Sequence, residues 1–148
     1  MTPPDARAEA MRAQRASFVI LGPMQGLHLT ADLYRCRCEA AWLADAGMLR
    51  DWCIASVEAV GLATVADLFR VLPPPPEGRG GVSATVLIAD GHVCLHTWPG
   101  EKAVSADVYV GSLENDQTAK ARGLMFALVN RFQPEWTEQR SLDRGEEE

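Results

Sequence analysis

From residue 26 onward apolar and polar side chains alternate: Leu27, Leu29, Ala31 and Leu33 interleave with His28, Thr30, Asp32 and Tyr34. A period of two sends one set into a core and the other toward solvent, so this stretch predicts a half-buried β-strand. Between residues 46 and 60 the period changes. Leu49, Trp52, Cys53, Ser56, Val57 and Val60 recur at three and four residues, which gathers them on one helical face, and Gly61 follows as a C-terminal cap. Residues 63–72 predict a second strand, stopped by the prolines at 73–76, and residues 77–81 form a glycine-rich connector. Three further strands are predicted at 82–89, 92–98 and 104–110. The first two are joined by Asp90-Gly91, read as a two-residue type I′ turn with positive φ at both central positions. Pro99-Gly100-Glu101-Lys102 turns the chain into the third. Asn115 and Asp116 offer caps for a second helix, whose apolar face is Ala121, Leu124, Leu128 and Phe132 and which ends near Pro134.

The order β-α-β-β-β-β-α describes an α+β two-layer sandwich, with helices covering one face of a mainly antiparallel sheet. Residues 24–134 make up this domain. Residues 1–23, with Pro3, Pro4 and Pro23 and no sustained apolar period, are expected to be a mobile N-terminal arm, and residues 135–148, ending in three glutamates, a disordered acidic tail. The sheet face without helices needs a cover. A second copy of the chain stacked there supplies one, so a homodimer is expected.

With 148 residues, 47% of them hydrophobic, the chain fits one domain with an adequate core. Its net charge of −6 lacks the basic footprint that a phosphate backbone requires, so no nucleic-acid partner is expected. No apolar run, the one at residues 18–21 included, approaches the roughly 20 residues that span a bilayer. Arg7, Arg12 and Arg15 precede that run without a nearby cleavage site, so a cytoplasmic protein with no membrane partner is expected. Cys36, Cys38, Cys53 and Cys94 are then reduced thiols, and Cys36-x-Cys38 lacks the C-x-x-C spacing of zinc knuckles and redox motifs.

Candidate chemistry concentrates on the strand after Asp90-Gly91, where His92, Cys94, His96 and Trp98 share one face. Same-face histidines can grip zinc together, which makes a structural metal site through His92, Cys94 and His96 one reading. No further Cys, His or carboxylate is spaced to complete a tetrahedron, so no metal is expected. The alternative is that the imidazoles line a polar cavity or a dimer seam, with Cys94 a small buried hydrophobe.

The segments Gly26-Leu-His-Leu-Thr-Ala-Asp-Leu-Tyr-Arg-Cys36, Gly81-Val-Ser-Ala-Thr-Val-Leu-Ile-Ala-Asp-Gly-His-Val-Cys-Leu-His-Thr-Trp-Pro99 and Ala106-Asp-Val-Tyr109 resemble the bacterial S-adenosylmethionine decarboxylase proenzyme family. The resemblance runs from about residue 26 to residue 111 and implies the same two-layer architecture, with a dimer whose active sites lie at its seam. In that family a Glu-Ser pair precedes the equivalent of His92. The serine attacks its own preceding carbonyl, the ester breaks by β-elimination, and the chain splits to leave a pyruvoyl group. That group forms a Schiff base with the substrate amine and serves as electron sink for loss of CO₂. Here the dipeptide is Asp90-Gly91, and glycine has no Oγ, so no pyruvoyl cofactor is expected.

Ser83 and His96 match the family residues that assist self-processing, the histidine as proton carrier and the serine as its hydrogen-bonding partner. Gly111 aligns with the cysteine that returns a proton to the decarboxylated carbon. Gly100 aligns with the glutamate that holds the substrate ribose, and Glu101 is its neighbour. Nucleophile, proton donor and ribose anchor are all glycine. The resemblance thus implies a non-processed homologue with a binding or regulatory role in polyamine (spermidine) metabolism. Such a chain pairs with an active decarboxylase subunit, or senses a small cationic or adenosyl metabolite. A second reading keeps an enzyme acting on S-adenosylmethionine or a related amino acid without pyruvoyl, through Cys94 and His96 as a thiolate–imidazolium pair. Purely structural readings stand beside these: Gly91 as a turn residue, Ser83 and His96 as a buried hydrogen-bonded pair, Trp98 and Tyr109 as packing residues, and Asp107 as a partly buried carboxylate.

Overall fold

Leu27, Leu29, Ala31 and Leu33 are all buried, as their alternation requires, and they belong to strand β1 (Gly26–Cys36). A computed structural model describes residues 25–112 and 115–145. After β1 come a short 3₁₀ turn (Ala40–Leu43), helix α1 (Ala46–Ala59) and strands β2 (Thr64–Val71), β3 (Val82–Ile88), β4 (Gly91–Trp98) and β5 (Ala103–Gly111). Helix α2 (Thr118–Phe132) and strand β6 (Pro134–Arg144) complete the chain. The expected arm at residues 1–23 lies outside the described residues. All neighbouring strands are antiparallel, in the order β2-β3-β4-β5-β1-β6. Both helices lie on one face, α1 against β2 and α2 against β1 and β5, giving the α+β two-layer sandwich.

Local chemistry sets the helix ends. Asp45 accepts a hydrogen bond from Met48 N at 3.0 Å and caps α1. At its other end Gly61 N donates to Glu58 O and Leu62 N to Val57 O, the paired bonds of a Schellman motif. Gly61 takes φ 86°, which a side chain would resist, so the glycine read as a cap from sequence is one. Asp116 accepts from Thr118 N at 2.9 Å at the start of α2, and Gln133 closes that helix at φ 49°. Arg50 grips Asp67 through Nε at 2.8 Å and Nη2 at 3.3 Å, tying α1 to β2.

The core lies between sheet and helices. Leu49, Cys53 and Val57 of α1 and Ala121, Leu124, Met125, Leu128 and Phe132 of α2 pack on the inward residues of β1, β3, β4 and β5. Thr97 is the polar member: it donates to Leu43 O at 2.7 Å and accepts from Val82 N at 2.8 Å. The four cysteines are free thiols. Burial pushes Cys53 up to about 12, and burial, then the neighbouring Cys38, pushes Cys36 up to about 11. None of the described helices is long and apolar enough to cross a membrane.

Two expectations are corrected. The β3–β4 hairpin forms, but Ile88 pairs with Gly91, so its turn residues are Ala89 and Asp90, and neither has positive φ. Strand pairing places Gly91 inside β4, where its need for glycine is one of space. The second correction concerns the acidic tail: residues up to Arg144 form β6, paired with β1 along almost its whole length, from Gly26↔Arg144 to Cys36↔Pro134. The domain therefore does not end at residue 134. Nearly all of β6 is exposed on both faces, so it carries no apolar alternation to read. It is held by main-chain bonds to β1, which would otherwise be an open sheet edge.

Candidate functional site on the open sheet face

The polar set of each strand points away from the helices, and strand register sorts it into rows. His92 on β4 and His28 on β1 both lie opposite Tyr109 on β5; Cys94 lies opposite Thr85 and Asp107; His96 lies opposite Ser83 and Ser105. All three histidines of the protein thus stand on one sheet face. The His28 and His92 rings pack against Tyr109 with centroids 6.3 and 5.7 Å away, and the Arg144 guanidinium lies 4.9 Å over the same ring. His28 Nε2 is buried, has no hydrogen-bond partner, and lies 3.6 Å from Asp107 Oδ1. The Asp107 side chain is 47% exposed, the partly buried carboxylate expected of it.

Ser83 Oγ lies 3.0 Å from His96 Nδ1, which brings together the two residues that the family resemblance matches to self-processing. The pair is exposed, not buried as the structural reading had it. It lines a cleft of about 450 Å³ with Arg79, Trp98, Gly100 and Glu101, so Gly100, the position that the resemblance aligns with the ribose anchor, and its neighbour Glu101 stand beside it. Trp98 is 48% exposed and forms one wall rather than core. Cys94 donates to Thr85 Oγ1 at 3.5 Å. Cys94 and His96 therefore each pair across to β3, and the structure does not join them as a thiolate–imidazolium couple.

Gly91 and Gly111 lie elsewhere. Gly91 is five residues from His96 on the same strand, about 17 Å at an ordinary strand rise, so within one chain it cannot meet the Ser83–His96 pair. A Cβ at Gly91 would stand 2.0 Å from Tyr109 O and 2.9 Å from its carbonyl carbon. At Gly111 a Cβ would lie 2.9 Å from Asp90 O and 3.0 Å from Asp90 Oδ2. Gly100 differs, with nothing within 4 Å of where its Cβ would be. Gln117 Nε2 donates to Gly111 O at 2.9 Å and to Asp90 Oδ2 at 3.2 Å, while Asp90 O accepts from Gly111 N at 2.9 Å. A pyruvoyl group needs a hydroxyl-bearing side chain at position 91, and this backbone holds neither the hydroxyl nor the room for it, so the residues present do not fit that group.

No three His, Cys, Asp or Glu side chains among the described residues come together to hold a metal ion. Sequence reasoning passed over His28, Gln117 and Arg144. The outward position of His28 follows from its alternation, but its neighbours come from β5 and β6, far along the chain, and only strand order brings them in.

The chain is similar to known proteins along most of its length. Residues 27–145 match the S-adenosylmethionine decarboxylase family. The chain is 29% identical over 120 residues to an S-adenosylmethionine decarboxylase proenzyme from Archaeoglobus fulgidus, covering 81% of this chain and 97% of that one. It is 28% identical over 115 residues to an arginine decarboxylase proenzyme from Pyrobaculum arsenaticum, covering 77% and 83%. The crystal structure of the adenosylmethionine decarboxylase from Aquifex aeolicus superposes with a TM-score of 0.71 at 25% identity, over 84% of this chain and 94% of that chain. The family match runs from β1 through β6, and this chain belongs to the S-adenosylmethionine decarboxylase family.

Proposed function

We propose that this chain is a family member that remains one uncleaved polypeptide, forms no pyruvoyl group, and acts by binding, in a regulatory role in polyamine (spermidine) metabolism in the cytoplasm. The observation that carries this reading is Gly91: the position where self-processing needs a hydroxyl has none, and the main chain of Tyr109 occupies the space beside it. The proton donor and the ribose anchor are also glycine, at Gly111 and Gly100.

Two kinds of partner suit the open face. It exposes Tyr34, Leu68, Leu87, Trp98, Trp136 and Leu142 next to its polar rows, an apolar load that a second protein layer would remove from water. A second copy makes a homodimer; a chain of the same fold that retains its serine makes a heteromer with an active decarboxylase. The cleft at Ser83 and His96, with the Trp98 ring and the Glu77 and Glu101 carboxylates, suits a small cationic or adenosyl metabolite. Pyruvoyl-free catalysis by Cys94 and His96 is less favoured, because each is engaged with β3.

Intact-mass measurement on the denatured protein tests the reading. One species near 16.1 kDa is expected, and two fragments divided at Asp90/Gly91 would overturn it. Titration calorimetry with S-adenosylmethionine, its decarboxylated form, putrescine and spermidine then tests the binding role, and heat from none of them removes the metabolite arm.

A further inference from the structure

We infer that the sheet end around Gly91 is a packed closure in which residues 90, 91, 111 and 117 now act as a structural clamp, so that a serine restored at position 91 neither fits nor restores cleavage. The inference rests on the reading that the chain is uncleaved, and goes past it: a missing hydroxyl is a one-residue loss, whereas a closure is a property of the surrounding backbone.

Three glycines from three adjacent strands meet there. Gly26 pairs with Gly111, and Gly91 pairs with Val110, the next residue of β5. A Cβ at Gly91 would lie 2.0 Å from Tyr109 O and 3.0 Å from Val110 Cα, and one at Gly26 would lie 2.9 Å from Val110 O. These obstacles are main-chain atoms of β5, which is bonded to β4 on one side and β1 on the other, so they cannot swing away as a side-chain tip can. The requirement at Gly91 is close approach, since its φ is not in the left-handed region.

The side-chain space of position 111 is also taken. Asp90 fills it, with its carbonyl and carboxylate 2.9 and 3.0 Å from where a Cβ would be. Asp90 is in turn held by Gly111 N and by Gln117 Nε2, and Gln117 immediately precedes α2. The bracket therefore fastens the β3–β4 turn to the end of β5 and to the start of α2. An arrangement in which turn, strand end and helix start share bonds is a structural unit, and it occupies the volume that a nucleophile at 91 and a proton donor at 111 would need.

Four variants of the full chain test this: Gly91→Ser, Gly91→Ala, Gly111→Ala and Gly100→Ala, each measured by denatured intact mass and by thermal midpoint. Gly91→Ser is expected to stay uncleaved and to lose as much in midpoint as Gly91→Ala, roughly 5 °C or more, because the Cβ and not the hydroxyl is the cause. Gly111→Ala is expected to lose less, and Gly100→Ala nothing measurable. If both position-91 variants are insoluble while Gly100→Ala is soluble, the closure is supported, and Gln117→Ala then provides the second reading: its midpoint should fall, and an unchanged one would overturn the clamp. Gly91→Ser with a wild-type midpoint, or split into two fragments, overturns the inference. Cleavage of the wild-type chain would instead overturn the proposed function, so the two failures are told apart.

Discussion

Ser83 Oγ and His96 Nδ1 lie 3.0 Å apart on neighbouring strands, at the opposite end of β4 from Gly91. The pair that resembles the family's processing residues is hydrogen-bonded, and within one chain it stands out of reach of position 91. Being exposed, it adds little to folding: Ser83→Ala and His96→Gln should each change the unfolding free energy by less than about 1 kcal/mol, read from urea melts. A loss of several kcal/mol from either would show that the pair is a structural support after all.

Thr97 behaves oppositely although it lies next to His96 in sequence. Its hydroxyl joins Val82 N and Leu43 O in the core, so Thr97→Val keeps the shape and strands two buried main-chain groups. A destabilisation of about 1–3 kcal/mol is expected by chemical denaturation. A neutral result would mean that the 3₁₀ turn carrying Leu43 relaxes away.

Strand β6 covers the outer edge of β1. A chain ending at Gln133 should expose that edge, melt several degrees lower and associate through β1 at raised concentration. Light scattering and thermal melts check both, and a truncated chain that melts like the full one would return residues 134–144 to the status of a dispensable tail.

The buried thiols make a pH prediction with a defined sign. Cys53 and Cys36 are held above their ordinary value of 9.0, at about 12 and about 11, by desolvation of the thiolate. The folded state then binds protons more tightly than the unfolded one, so their stabilisation is complete below pH 9 and is lost as pH rises from there toward the folded values. Urea midpoints should fall over that range, and the Cys53→Ala chain should show a shallower fall; identical slopes would place the loss in other groups.

In the core, Leu128 is fully buried on α2 facing the sheet. Leu128→Ala should cost about 2–5 kcal/mol, measured as a reduced midpoint at unchanged denaturant dependence.

Much of this protein is legible along the chain because side-chain period is a local property. Leu27 through Leu33 declare a half-buried strand, Leu49, Cys53 and Val57 a helix face, and His92, Cys94 and His96 a common outward side, and each holds in three dimensions. The lack of a hydroxyl at Gly91 is likewise a fact of sequence alone. What the chain cannot disclose locally is who stands beside whom. Asp90-Gly91 looks like a turn, yet Gly91 is required because Tyr109, eighteen residues further on, brings its carbonyl against it. His28 gains Asp107, Tyr109 and His92 only through strand order, and β6, too polar to show a period, exists because β1 has an edge to satisfy. Side-chain alternation is written residue by residue, whereas backbone hydrogen bonds between distant strands are nearly blind to side-chain identity, and so the folded sheet alone decided them.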